Sequence, residues 1–178
     1  MNHCFTKPWV AGAMLMQSVA TAALEEVPVA YLIVAKSHQV PVDILYAVAL
    51  AESGKPYQGE QTPWPWALNI DGRSVFCDSQ QDAVYRVSQA IQQEQSIDIG
   101  LMQINWRWHQ QRFSSIDESL LPIKNLSAGA TILYEQFEQT KDWWEAVGRY
   151  HDPGQDSESL NSAQRYRERV KRHWREWF

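Results

Sequence analysis

The chemistry this chain could perform begins at Glu52, the only glutamate of Val42–Gly54, VDILYAVALAESG. The stretch reads as a short helix, apolar almost all the way round, and such a helix belongs inside a domain. Asp43, two residues after Pro41, can cap its start. Gly54 can end it, and Lys55-Pro56 cannot easily continue it. Glu52 then sits at the exit of a buried helix. Desolvation and the negative end of the helix dipole both disfavour its charge. A carboxylic acid pushed that way stays protonated near neutral pH and can donate its proton to a leaving group. The alternative is an exposed polar residue at a helix end. A second polar cluster follows in Ser96–Asn105, SIDIGLMQIN, where Asp98 lies two residues before Gly100 and the amides Gln103 and Asn105 follow.

The elements that must position these groups are mainly helical. Glu25–Ala35 leads into a helix with Val29, Leu32, Ile33 and Ala35 as core candidates. Tyr57–Pro65 carries turn formers and no helical period, which predicts a loop. In Trp66–Cys77, Trp66, Leu68 and Ile70 alternate up to Asp71-Gly72, a strong two-residue turn, and Val75 and Phe76 continue the return strand. That is a hairpin, and the only clear β signal in the chain. Ser79 and Asp82 have a capping-box-like spacing before a helix whose apolar face is Ala83, Val84, Val87, Ala90 and Ile91. Ser115–Leu121 reads as a linker. Asn125–Thr140 is amphipathic, with Leu126, Ala130, Leu133 and Phe137 on one stripe. Asp142 caps DWWEAVGRYH, which Asp152-Pro153-Gly154 stops. Gln155–Ser162 reads as a polar loop. The last helix, Ala163–Phe178, carries six Arg and Lys, either a solvated face balancing an acidic body or a contact for an anionic polymer or membrane surface.

Three stretches stand in order: Ala51-Glu52-Ser53-Gly54, Gly100-Leu101-Met102-Gln103-Ile104-Asn105 and Ala146-Val147-Gly148-Arg149-Tyr150-His151. Together they resemble the family-1, SLT-type lytic transglycosylases of the lysozyme-like superfamily, and within them the VirB1-like branch. The resemblance covers roughly residues 29–152. It implies an α+β, mainly α, lysozyme-like fold with a small β-hairpin insert. It implies a peptidoglycan substrate cut between N-acetylmuramic acid and N-acetylglucosamine, with the muramyl C6 hydroxyl attacking C1 to leave a 1,6-anhydro end. Glu52 matches the catalytic glutamate, acting as acid and then as base. Ser53, Gly100, Met102, Gln103, Asn105 and Tyr150 match positions that bind substrate, and Tyr150 would hydrogen-bond Glu52 or the acetamido group. The family usually has Asn where this chain has His151, for which a structural role is expected. Asp98, if it faces the cleft, would be a second carboxylate and would permit some hydrolysis. Nine tryptophans are unusual. Trp64, Trp66, Trp106 and Trp108 lie near the motifs and are candidates for stacking on sugars.

The chain has 178 residues, 44% apolar and 21% charged, with net charge −5, which is ordinary for one globular domain. Residues 1–22 read as a signal peptide: Lys7, an apolar run over Val10–Val19, and Ala20-Thr21-Ala22 as the cleavage site. An uncleaved anchor is the alternative, and would be the one membrane contact. Residues 23–162 form the expected catalytic domain, followed by the basic helix 163–178. Cleavage would leave Cys77 alone, without an internal disulfide partner and better read as a half-buried strand residue than as a nucleophile. No CxxC or HExxH pattern is present, so no metal or cofactor is expected, and no nucleic-acid partner. The expected setting is exported and periplasmic, serving a conjugation or secretion apparatus. A muramidase and a non-catalytic glycan-binding scaffold are the other two readings.

Overall fold

The computed structural model describes residues 26–178. The expected signal segment lies outside them. The fold is mainly α with small antiparallel sheets, in keeping with the expected lysozyme-like α+β class. The first described helix, α1, is Val29–His38, and α2 is Val42–Ser53. Two hairpins follow, β1 Gly54–Tyr57 with β2 Glu60–Pro63, then β3 Ala67–Ile70 with β4 Arg73–Phe76. After α3, Gln80–Gln92, come β5, Ile97–Ile99, and β6, Ile104–Asn105. The remaining helices are α4 Trp106–His109, α5 Ile116–Ser119, α6 Pro122–Thr140, α7 Trp143–His151 and α8 Ser157–Trp177.

Helix α2 is the centre of the main core. Ile44 through Leu50 are all buried, as an all-round apolar helix requires. Burying side chains such as Leu45, Val48 and Leu50 stabilises the fold by about 2 kcal/mol each. Around α2 pack α1, α6, α7 and α8. Helix α1 turns a different face inward from the one expected. Tyr31, Val34 and Ala35 are buried, whereas Val29 and Ile33 are exposed and Leu32 is borderline, because Tyr31 packs edge-on to Tyr46 of α2 at 4.9 Å. The stripe of α6 is as expected at Leu126, Ala130 and Leu133.

A second, smaller core holds the sheet against α3 and α5 through Leu68, Cys77, Ala83, Val87, Ile97, Ile99 and Leu120. The strand order is β4-β3-β5-β6, all antiparallel. The expected hairpin is present, with Asp71 (φ 48°) and Gly72 (φ 81°) as its two-residue turn. Four strands were unexpected. Residues 57–65 are not all loop: Gln58 (φ 52°) and Gly59 (φ 92°) form a second turn of the same kind, closing β1 on β2. Ser96–Asn105 also pairs into the sheet. Cys77 is fully buried just past β4, and burial pushes its thiol up to about 11. The linker 115–121 contains α5, capped by the Ser115 hydroxyl.

The C-terminal helix starts at Ser157, earlier than expected, because Asp156 caps it through the amides of Glu158 and Ser159. It is an integral part of the core. Tyr166 and Val170 are buried, and Trp177 packs edge-on to Tyr46 at 4.8 Å. The Trp174 indole N–H donates to Asp43 Oδ2 at 2.7 Å. Asp43 therefore ties α8 to α2 and does not cap its own helix, which has Pro41 at the cap position. Among the described residues, no helix is long and apolar enough to cross a membrane.

Candidate active site

A cleft of about 710 Å³ separates the helical core from the sheet. Glu52, at the penultimate position of α2, reaches it from the helical side. The apolar run that buries α2 delivers the carboxyl to a water-poor wall. Burial pushes its pKa up to about 7; the Tyr166 hydroxyl and the Arg169 charge pull it down, and the Asp98 charge pushes it up. The Tyr166 hydroxyl donates to Glu52 Oε1 at 2.5 Å. Tyr166 itself is held by stacking. The His151 ring lies parallel to it with centroids 4.5 Å apart, and the Arg169 guanidinium lies 4.9 Å from its centroid. His151 thus has a structural contact, and desolvation and the Arg169 charge lower its pKa.

The opposite wall is a row across the sheet. Strand register places Ser74, Asn69, Asp98 and Asn105 side by side on β4, β3, β5 and β6, and all four line the cleft. Asp98 faces the cleft, and each of its oxygens accepts one hydrogen bond. Asn105 Nδ2 donates to Oδ1 at 2.7 Å and Asn69 Nδ2 to Oδ2 at 3.2 Å. Burial raises the Asp98 pKa and these two amides oppose the rise. The Oδ1 atoms of Asn69 and Asn105 are buried and have no partner within the protein. Acceptors in that state suit the hydroxyl or amide N–H donors of a sugar.

The segment Gly100–Gln103 is the turn joining β5 to β6, and both of its ends have positive φ, 77° at Gly100 and 44° at Gln103. A side chain at Gly100 would also strike Asn125, whose Nδ2 lies 2.5 Å from the position of a Cβ. Asn125, fully buried on α6, holds the turn. Its Oδ1 accepts from the Met102 N–H at 2.9 Å, and its Nδ2 donates to Ile99 O and Ser119 O at 2.8 and 3.0 Å. Sequence reasoning missed both Tyr166 and Asn125. Asn125 had a usable signal, a lone amide within an otherwise apolar helix face; Tyr166 had none beyond its heptad-like spacing to Val170.

The expected substrate contacts divide into two groups. Gln103, Asn105 and Tyr150 line the cleft, as does exposed Trp108. Ser53, Gly100 and Met102 do not. Ser53 is buried and donates to Leu101 O at 2.8 Å, fastening the end of α2 to the turn. Met102 is fully buried against Gly129, and Gly100 is buried beneath the turn. Tyr150 donates to Met102 O at 2.7 Å and not to Glu52, the place expected for it being held by Tyr166. The other three tryptophans are structural. The Trp64 indole donates to Cys77 O at 2.7 Å, Trp66 packs on the sheet core, and Trp106 stacks on Phe113. Among the described residues, no cluster of His, Cys, Asp and Glu is arranged to hold a metal ion.

Taken together, the cleft offers one poised acid, a wall of amides and an exposed indole. That set can protonate a leaving oxygen and hold a polyhydroxylated substrate. A family model described as Transglycosylase SLT domain matches residues 77–171, just over half of the chain. The matched span contains the Gly100–Asn105 turn, Tyr150 and Tyr166; Glu52 lies before it. No curated protein and no solved structure matches the chain.

Proposed function

We propose, because the chain belongs to the transglycosylase SLT domain family, that it is a lytic transglycosylase cleaving peptidoglycan glycan strands with Glu52 as its acid and base. The observation that carries the proposal is the setting of Glu52: a lone carboxyl at the end of a buried helix, held near neutral pKa and bonded by Tyr166. In the reaction, protonated Glu52 gives its proton to the glycosidic oxygen, and the N-acetylglucosamine side leaves with a free 4-hydroxyl. The acetamido carbonyl of the muramyl unit supports the positive charge at C1. The C6 hydroxyl then bonds to C1 and loses its proton to the Glu52 carboxylate, which restores the acid. The product end is a 1,6-anhydromuramyl group.

Asp98 is the second carboxylate that a muramidase would use. Each of its oxygens accepts one amide hydrogen bond and keeps a further lone pair, so the ends of the products separate the two reactions. We assign Gln103, Asn105, Tyr150 and Trp108 to the substrate-lining set. Activity on peptidoglycan agrees with export to the periplasm and the signal-like residues 1–22. Local wall opening for a conjugation or secretion apparatus, as in the VirB1-like branch, is the biological role we propose. An affinity purification recovering no envelope-machine component would remove it.

The deciding experiment is mass spectrometry of products released from purified sacculi by wild type and by Glu52→Gln. Anhydromuramyl ends that disappear in the variant are expected. Reducing ends would establish a muramidase, and equal release by both proteins would displace Glu52.

A further inference from the structure

Arg165, Arg169, Arg172 and Arg175 follow one another along α8 at three- and four-residue steps, so they share one face of the helix. All four are exposed. They line a groove of about 610 Å³ together with Asn161 and Gln164. The ion pairs of this helix use other side chains: Arg167 with Glu145, Lys171 with Glu168, and His173 with Glu176. Among the described residues, none of the four arginines has a carboxylate within ion-pair distance. Glu168 is the only carboxylate lining the groove, and it is bonded to Lys171 at 3.0 Å. Four like charges at helical contact spacing repel one another, and this occurs in a chain of net charge −5. Such a cluster is relieved by an external anion.

The groove adjoins the cleft at one residue. Arg169 lines both, and its ring partner Tyr166 is bonded to the candidate acid. A muramyl unit bound at Glu52 carries its peptide stem on the lactyl group, so a stem must leave the cleft over one of its walls. The α8 wall is the one that continues as an unpaired cationic surface. Guanidinium forks match carboxylates in geometry as well as in charge. We propose that this arginine groove receives the free carboxylates of the peptide stem borne by the glycan strand in the cleft. The proposal rests on the peptidoglycan reading above and makes the protein selective for stem-bearing strands.

The test is equilibrium binding of Glu52→Gln protein, which leaves strands uncut, to soluble, uncross-linked glycan strands that carry stems and to the same strands stripped of stems by an amidase. Stem-bearing material should bind roughly fivefold or more tightly, and the difference should shrink at high salt. Adding Arg165→Gln, Arg172→Gln and Arg175→Gln should erase the preference and leave binding to stripped glycan unchanged. A preference that persists without the arginines, or none in their presence, overturns the proposal. Flotation with phosphatidylglycerol vesicles completes the set: arginine-dependent vesicle binding without stem preference would assign the groove to a lipid surface instead. Failure of wild type to release any product from stem-bearing sacculi would overturn the lytic reading on its own, since the binding comparison needs no turnover.

Discussion

The Tyr166 hydroxyl donates to Oε1 of Glu52 at 2.5 Å, across 114 residues of sequence. The bond favours the ionised carboxylate and so works against the burial that raises the Glu52 pKa. Tyr166→Phe keeps the ring and its stack on His151 but removes this donor. The Glu52 pKa then rises further, and the alkaline limb of the rate profile moves to higher pH. Turnover at the optimum falls about tenfold, in line with loss of one hydrogen bond to a charged group. A pH series of turnover on sacculi reads both effects. An alkaline limb that stays in place would show that the hydroxyl does not set the acid.

Glu52 also weakens the fold at neutral pH and above. Its folded pKa of about 7 exceeds the ordinary 4.5, so the folded state binds the proton more tightly than the unfolded state. Stability contributed by the protonated group is fully present below pH 4.5 and is lost as pH rises through 7. The loss amounts to about 3 kcal/mol. Glu52→Gln has no such charge and can still accept from Tyr166. It should melt several degrees above wild type at pH 8 and match it at pH 4. Calorimetry at the two pH values measures this, and a variant less stable than wild type at pH 8 would contradict it.

Asp98→Asn separates a scaffold role from a chemical one. The carboxylate accepts from two asparagines, and an amide in its place loses one of those bonds and the charge. Removing the charge lowers the Glu52 pKa, so the alkaline limb should move to lower pH, opposite to Tyr166→Phe. A loss of about tenfold in turnover with unchanged anhydro products is expected. A loss beyond roughly a thousandfold would make Asp98 a participant in bond breaking.

Removal of residues 163–178 should abolish the native fold, not trim an appendage. The cut takes away buried Tyr166 and Val170, the Trp174 bond to Asp43 and the Trp177 contact with Tyr46. Far- and near-ultraviolet circular dichroism of the truncated protein should show loss of fixed tertiary structure. A truncated chain with a native near-ultraviolet spectrum would return α8 to the status of a separate element.

What could be read from the sequence was what local pattern controls. Glu52 was legible because a helix apolar on all sides has only one place to be, and the hairpin was legible because Asp71-Gly72 specifies its own turn. The ends of α3 and α7 followed from Ser79 and Asp142, whose oxygens accept from the helix amides as their spacing implied. The strands at 54–63 were hidden because Gln58-Gly59 is a weaker turn signal and Pro56 argues against a strand. Ser53 and Met102 were given to the substrate because they sit in motifs. In three dimensions, motif residues of this kind hold the turn, and only the last three of the hexapeptide, Gln103, Ile104 and Asn105, line the cleft. Tyr166 was out of reach because nothing in a basic helix announces which of its aromatic residues will meet an acid on a distant element.

Helix α8 is synthesised after every other described element, and it carries the hydroxyl that holds Glu52. A nascent chain that has emerged only as far as α7 has its sheet wall and its acid but not the partner of that acid. Domains generally assemble as their segments leave the ribosome. The hydroxyl that holds the candidate acid is therefore made after both walls of the cleft, and a protease nick in the connector 152–156, which carries the cleft residue Pro153, would separate it from Glu52.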